Sequence, residues 1–293
     1  MALDSLESKA YAAFKKSRVI VQRMIQQLEL RHPWPVRLWH WLTATAIGVL
    51  LLTGMLLFDI HPRLYWGDDG HEGMPAFFSI SAPDLDRPVL QTDLQIGSYH
   101  FDLSGRLGLA VDTGFGDKDF LVFTPPADWD FGATRGWHFL CAWVLILGTI
   151  VYVVYLVASG RLRRMLWPTS DEFTLASLGR ELSQHLRLRR ARGEATRRYN
   201  LLQKISYLGM FFVLIPVLVV SGITMSNSVT AAFPDLLALF GGRQSARSIH
   251  FIAAMLLLGF ILVHVFQVFV AGFVNLMRSM ITGWFAVERE ESP

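Results

Sequence analysis

Four long apolar runs, at about 38–58, 137–158, 205–226 and 249–277, constrain this chain more than any other feature. Each supplies about 20 residues or more, enough to cross a hydrocarbon layer about 30 Å thick as a helix. Lipid offers no partner to backbone N–H and C=O groups, so such runs must pair them internally. The expected fold is an all-α membrane protein, a four-transmembrane-helix bundle. Composition agrees, since 52% of the 293 residues are hydrophobic and only 17% are charged, where soluble domains carry about 25% charged residues.

The first run is preceded by a polar, basic segment, 1–37, without the features of a cleavable signal, so the first helix is expected to serve as the insertion signal. Within that segment, 10–30 places apolar residues at helical spacing with basic ones opposite, which suits an amphipathic helix on the membrane surface. The loop 160–204 is rich in arginine, including Arg161, Arg163, Arg164, Arg187, Arg189 and Arg190, whereas 59–134 is acidic, with Asp68, Asp69, Glu72, Asp84, Asp86 and Asp93 among others. The positive-inside rule then places both termini, including the tail 278–293, and the basic loop in the cytoplasm. It makes 59–134 a large loop that faces the periplasm or cell exterior. Inside that loop, partial alternation over 94–111 with Gly97 and Gly105 predicts a short β-hairpin.

The four runs contain no Asp, Glu, Lys or Arg, but they do contain His40, His138, His250 and His264. Ionisable side chains are costly in the bilayer and need partners. His250 and His264 stand fourteen residues apart, nearly four turns, which puts them on almost one face of a helix and about 21 Å apart along it. By the expected topology His138 is level with His250 on the outer side, and His40 with His264 on the inner side. One histidine alone is explained as well by a hydrogen bond to a helix-end carbonyl; four at matched depths form two bis-histidine pairs stacked across the membrane. Neutral imidazole is a good axial ligand for haem iron, and two per iron leave no open position, which favours electron transfer. The lone cysteine, Cys141, excludes an intrachain disulfide and a C-x-x-C-H attachment site, so such a haem is of the non-covalent b type. Zinc or copper is disfavoured because three or four convergent ligands are absent from either pair. Gly54, Gly148 and Gly222 would let a flat macrocycle approach the helices.

The sequence Arg37-Leu38-Trp39-His40-Trp41, then His138, the fourteen-residue pair His250 and His264, and Tyr199-Asn200-Leu201-Leu202-Gln203-Lys204 together resemble the bacterial four-helix cytochrome b family. That family includes the membrane subunits of formate dehydrogenase, nickel-iron hydrogenase and thiosulfate reductase. The resemblance covers the four runs and their inner flanks. It implies two haem b, held by His40 with His264 and by His138 with His250. It also implies a quinone, ubiquinone or menaquinone, near the inner haem at Asn200 and His264, with Gln203 and Lys204 as further candidates. An alternative for Asn200 is an N-cap of the third helix, and for Lys204 a side chain reaching to the headgroups.

The outer loop is longer than in the formate dehydrogenase and hydrogenase subunits, and His61-Pro62-Arg63-Leu64-Tyr65-Trp66-Gly67 resembles the loop of relatives that serve periplasmic molybdenum oxidoreductases. The expected function is electron transfer between the quinone pool and a periplasmic redox protein or catalytic subunit, a molybdenum oxidoreductase or another respiratory enzyme. Lipid is a further partner, and no nucleic acid is expected. Tyr65, Trp66, Phe77, Phe78, Trp129 and Phe131 offer a docking platform for such a partner; a loop that caps the outer haem is the alternative. His61, His71 and His100 in this loop show no ligand spacing for a metal. Two rival functions are a superoxide:quinone oxidoreductase guided by Arg135, Arg243 and Arg247, and a haem-free transporter or scaffold, for which Pro216 in the third run is the main signal.

Overall fold

The structure, a computed structural model, describes residues 27–71, 73–112, 118–123, 130–169, 171–186 and 199–287. The four apolar runs are helices: α1 (Trp34–Asp59), α2 (Phe131–Ala158), then, after the short α3 (Leu175–Leu186), α4 (Leu201–Thr224), and, after the short α5 (Asn227–Ala232) and α6 (Asp235–Phe240), α7 (Arg243–Thr282). Only 11–28% of each span is buried within the protein, and residues such as Val151, Leu256 and Val263 are exposed. Surface of that kind is stable only against lipid, so the chain is an all-α membrane protein with small sheets outside its spans.

The helix ends follow from local chemistry. Pro35 sits in the first turn of α1, where its missing N–H costs nothing. Asp130 caps α2 by accepting from the backbone N–H of Gly132 and Ala133 at 3.0 and 2.9 Å. In α4, residues Met210–Leu214 wind as a π-helix directly before Pro216. Proline gives no hydrogen bond to the preceding turn and crowds its carbonyl; the wider turn accommodates both. In α7, Gly272 has φ 117° and ψ 76°, which interrupts the fourth run at a conformation open to glycine.

The chain packs as two units. The larger comprises Trp39–Ala158 and Ser206–Val263. It holds a four-stranded antiparallel sheet, β2 (Arg63–Leu64), β3 (Phe78–Ser81), β4 (Asp93–Ile96) and β5 (Tyr99–Asp102), and a hairpin of β6 (Leu109–Asp112) with β7 (Lys118–Leu121). The expected hairpin is β4–β5, turning at Gly97 with φ 60°, as tight hairpin turns require. Phe58, Leu64, Ile80 and Val122 form the core of this region. The Asp59 carboxylate, at the end of α1, accepts from the N–H groups of Val122 and Phe123 at 2.9 and 3.1 Å. Residues 61–67 are fastened to the first turns of α7. Ser248 donates to the Tyr65 carbonyl at 2.7 Å, Arg247 to the carbonyls of Arg63 and His61, and the N–H groups of Gln244 and Ser245 to the Gly67 carbonyl. A second core, Leu218, Ala253 and Leu257 with Ile47 and Met210, packs the helices.

The other unit comprises residues up to Leu38, Ser159–Ile205 and those from His264 onward. Most of the segment expected as an amphipathic helix lies outside the described residues. Its end is corrected: Gln27–Leu30 is a strand, β1, paired antiparallel with β8 (Trp284–Val287). A partner more than 250 residues away in the chain overrides the local periodicity that favoured a helix. The Asn275 side chain closes this sheet onto α7, donating to the Ala286 carbonyl and accepting from its N–H at 2.8 and 3.0 Å.

Candidate functional site

His138 on α2 and His250 on α7 come together in the larger unit, with ring centroids 6.4 Å apart and ring planes at 62°. Two imidazoles ligating one metal through opposed nitrogens, each with a bond of about 2.0 Å, have centroids about 6.3 Å apart once roughly 1.15 Å from nitrogen to ring centre is added. The observed separation of 6.4 Å is close to that spacing. No group of three or more His, Cys, Asp or Glu converges among the described residues.

Glycine makes room on both sides. A Cβ on Gly54 of α1 would lie 3.5 Å from the His138 ring, and one on Gly222 of α4 would lie 3.1 Å from the His250 ring. These glycines thus border the imidazoles themselves, whereas Gly148 faces Leu42 and Trp39. Each ring also has a hydroxyl at Nδ1: Thr53 at 2.9 Å from His138 and Ser221 at 3.1 Å from His250. Neither hydroxyl was singled out from the sequence.

His40 lies near the start of α1 in the larger unit, half-buried, with its ring edge-on to Trp41 at 5.1 Å. The neighbouring Trp39 stacks on Tyr152 of α2 at 4.1 Å. His264, half-buried on α7, belongs to the other unit.

That other unit holds Asn200, Gln203 and Lys204. Asn200 is the N-cap of α4: its side-chain oxygen accepts from the Gln203 N–H at 2.8 Å, and the Gln203 side chain accepts from the Asn200 N–H at 3.3 Å. This reciprocal pair is a capping box. Glu181 of α3 accepts from the N–H groups of Leu201 and Leu202 at 3.1 and 2.9 Å, and Lys204 N–H donates to the Asn200 carbonyl. All four free donors of the helix start are thereby satisfied. Lys204 does not extend to the surface as its sequence position allowed. It is buried, and its ammonium donates to Glu172 at 2.6 Å. Burial raises the Tyr199 hydroxyl above its ordinary range.

The outer-loop residues have structural partners. His61 Nε2 is 3.1 Å from the Tyr65 hydroxyl, which donates to the His71 carbonyl, and His100 pairs with Asp93 at 2.8 Å. The expected aromatic platform is corrected in part. Tyr65 is only 1% exposed and Phe78 packs on the loop core, while Trp66 and Phe131 are exposed. Trp129 lies outside the described residues.

Residues 31–283 match the family described as prokaryotic cytochrome b561. The chain is also similar to a protein of Azospira oryzae provisionally named protein-methionine-sulfoxide reductase subunit YedZ1, at 26% identity over 245 residues, covering 84% of this chain and 93% of that one. A closely spaced histidine pair, glycines beside both rings and four lipid-facing helices agree with that family. This chain therefore belongs to the prokaryotic cytochrome b561 family and is a multi-pass bacterial membrane protein that binds haem b and transfers electrons.

Proposed function

We propose that the chain holds two haem b and passes electrons between the quinone pool and a redox partner on the periplasmic side. The observation that carries this reading is the facing of His138 and His250 at 6.4 Å. In this scheme they hold the outer haem, and His40 and His264 hold the inner one. Iron with two imidazole ligands supplies one-electron transfer and keeps no position open for oxygen. The protein's part is to fix the ligands, exclude water and set the potentials through burial and hydrogen bonds.

Quinone, either ubiquinone or menaquinone, binds beside His264 and the start of α4. The Asn200 oxygen is engaged in the cap, and in this scheme its amide N–H group donates to a quinone carbonyl. Gln203 and Lys204 line the same end, and Glu172 links the buried Lys204 ammonium to solvent, a route for the protons that accompany quinone chemistry. The basic loop and both termini lie in the cytoplasm, and 59–134 meets the partner. Similarity to a subunit named for a methionine-sulfoxide reductase supports a periplasmic oxidoreductase as that partner, and the 61–67 loop a molybdenum enzyme.

The superoxide reading is not favoured, because two of its guiding arginines are engaged elsewhere. Arg243 donates to the Met225 carbonyl, Asn227 and Thr230, and Arg247 to the carbonyls of His61 and Arg63.

The test is a reduced-minus-oxidised spectrum of the purified protein with haem quantified per chain. About two b-type haems per chain, as two bis-histidine pairs require, support the proposal. One haem, or two that survive His138→Ala or His264→Ala with unchanged spectra, would refute it.

A further inference from the structure

Helices α1 and α4 carry the same short pattern. It reads Leu50-Leu51-Leu52-Thr53-Gly54 in the first and Leu218-Val219-Val220-Ser221-Gly222 in the second, a leucine, two apolar residues, a hydroxyl residue and a glycine. Each copy faces one histidine of the outer pair. Gly54 and Thr53 border His138, and Gly222 and Ser221 border His250.

The hydrogen bonds fix which ring nitrogen carries the proton. Thr53 Oγ1 is 2.7 Å from the Val49 carbonyl, and Ser221 Oγ is 2.5 Å from the Val217 carbonyl. A carbonyl only accepts, so each hydroxyl spends its hydrogen on the preceding turn and offers its oxygen to the histidine as an acceptor. The Leu218 carbonyl, 2.9 Å from His250 Nδ1, is a second acceptor there. Each Nδ1 therefore carries hydrogen, and each Nε2 presents its lone pair. Back-bonding of Ser or Thr to its own helix is ordinary. A histidine nitrogen on the same oxygen, with glycine one residue on, twice, is not.

We infer that Thr53 with Gly54 and Ser221 with Gly222 are two equivalent cradles that position the outer-haem ligands. They fix both imidazoles as Nδ1–H tautomers with their planes well away from parallel, and they lower the potential of the iron between them. The inference rests on His138 and His250 being the ligands. An acceptor at Nδ1–H makes the imidazole a stronger donor at Nε2, and a stronger donor stabilises ferric over ferrous iron.

The test uses Thr53→Val and Ser221→Ala in the full-length, haem-loaded protein, read by redox titration and low-temperature electron paramagnetic resonance. The expected result is full haem content with a raised potential for the outer haem alone. The ferric preference falls by up to about tenfold, equivalent to about 59 mV for one electron. Crossed imidazole planes keep two iron d orbitals close in energy, so the wild type should show a highly anisotropic low-spin signal that both variants alter. Thr53→Ser should restore both readouts. Unchanged potentials and signals in both variants would overturn the cradle role while leaving ligation intact. Full haem content in His138→Ala would instead remove the ligation on which it rests. Should Thr53→Val not fold, Thr53→Ala replaces it as the deciding variant, because the Leu218 carbonyl still accepts from His250 in Ser221→Ala.

Discussion

Lys204 and Glu172 join the start of α4 to the segment ahead of α3, with Nζ donating to Oε2 at 2.6 Å. The lysine side chain is 8% exposed, while the carboxylate keeps 38%. The hydrogen bond from Lys204 is the main cause that holds the Glu172 carboxyl below its ordinary value of 4.5. A depressed carboxyl contributes stability that is fully present above its unfolded pKa and is lost as pH falls through its folded one. Thermal stability in detergent should therefore drop as pH falls below 4.5, and less so in Glu172→Gln. At neutral pH that variant should cost roughly 1–2 kcal/mol, less than a fully buried pair because the carboxylate is partly solvated. Identical acid profiles for the two proteins would refute the assignment.

Gly222 is under more pressure than Gly54. A Cβ at Gly222 would come within 3.1 Å of the His250 ring, tighter than ordinary contact, whereas at Gly54 it would sit 3.5 Å from His138. Gly222→Ala should change the haem resonance signal and lower haem content, and Gly54→Ala should do so less. Haem content by pyridine haemochrome and the spectra of both variants check that order.

The two roles of Asn200 can be separated. Asn200→Ala should lose the cap, about 1 kcal/mol, together with quinone reactivity. Asn200→Asp keeps the acceptor for the Gln203 N–H but has no amide N–H, so stability should hold while quinone turnover falls. Turnover at the wild-type level in a stable Asn200→Asp protein would restrict Asn200 to the cap.

Gly242 has φ 117°, and a Cβ there would lie 2.4 Å from the Gly67 backbone. Neither chain can yield without breaking the bonds from Gln244 and Ser245 to Gly67. Gly242→Ala should cost about 3 kcal/mol or more, combining positive-φ strain with a backbone clash. Gly259, in the middle of α7 with nothing within 4 Å, should accept alanine with no loss, and melting temperatures of the two variants check the contrast.

Much of the site was legible before folding was considered. Apolar runs and in-span histidines follow from the bilayer's demand for paired backbone groups and for partnered ionisable side chains, and helical rise together with the expected topology matches His138 with His250. The hairpin at Gly97 was legible because turn chemistry is local. The β1 strand was not, because its partner lies at the other end of the chain.

The sequence by itself determined the spans, the resemblance to a cytochrome family and the expectation that His138 faces His250, since these depend on composition, on short motifs and on depth within spans that cross the same layer. Only the tertiary structure decided that Thr53 and Ser221 orient those rings, that Glu172 and Glu181 secure the start of α4, and that residues 61–67 dock on α7. Such contacts join groups far apart in the chain, 85 residues for the Thr53 and His138 side chains and 184 for the Arg247 side chain with the Arg63 carbonyl. Helix packing selects them, and no local periodicity encodes them.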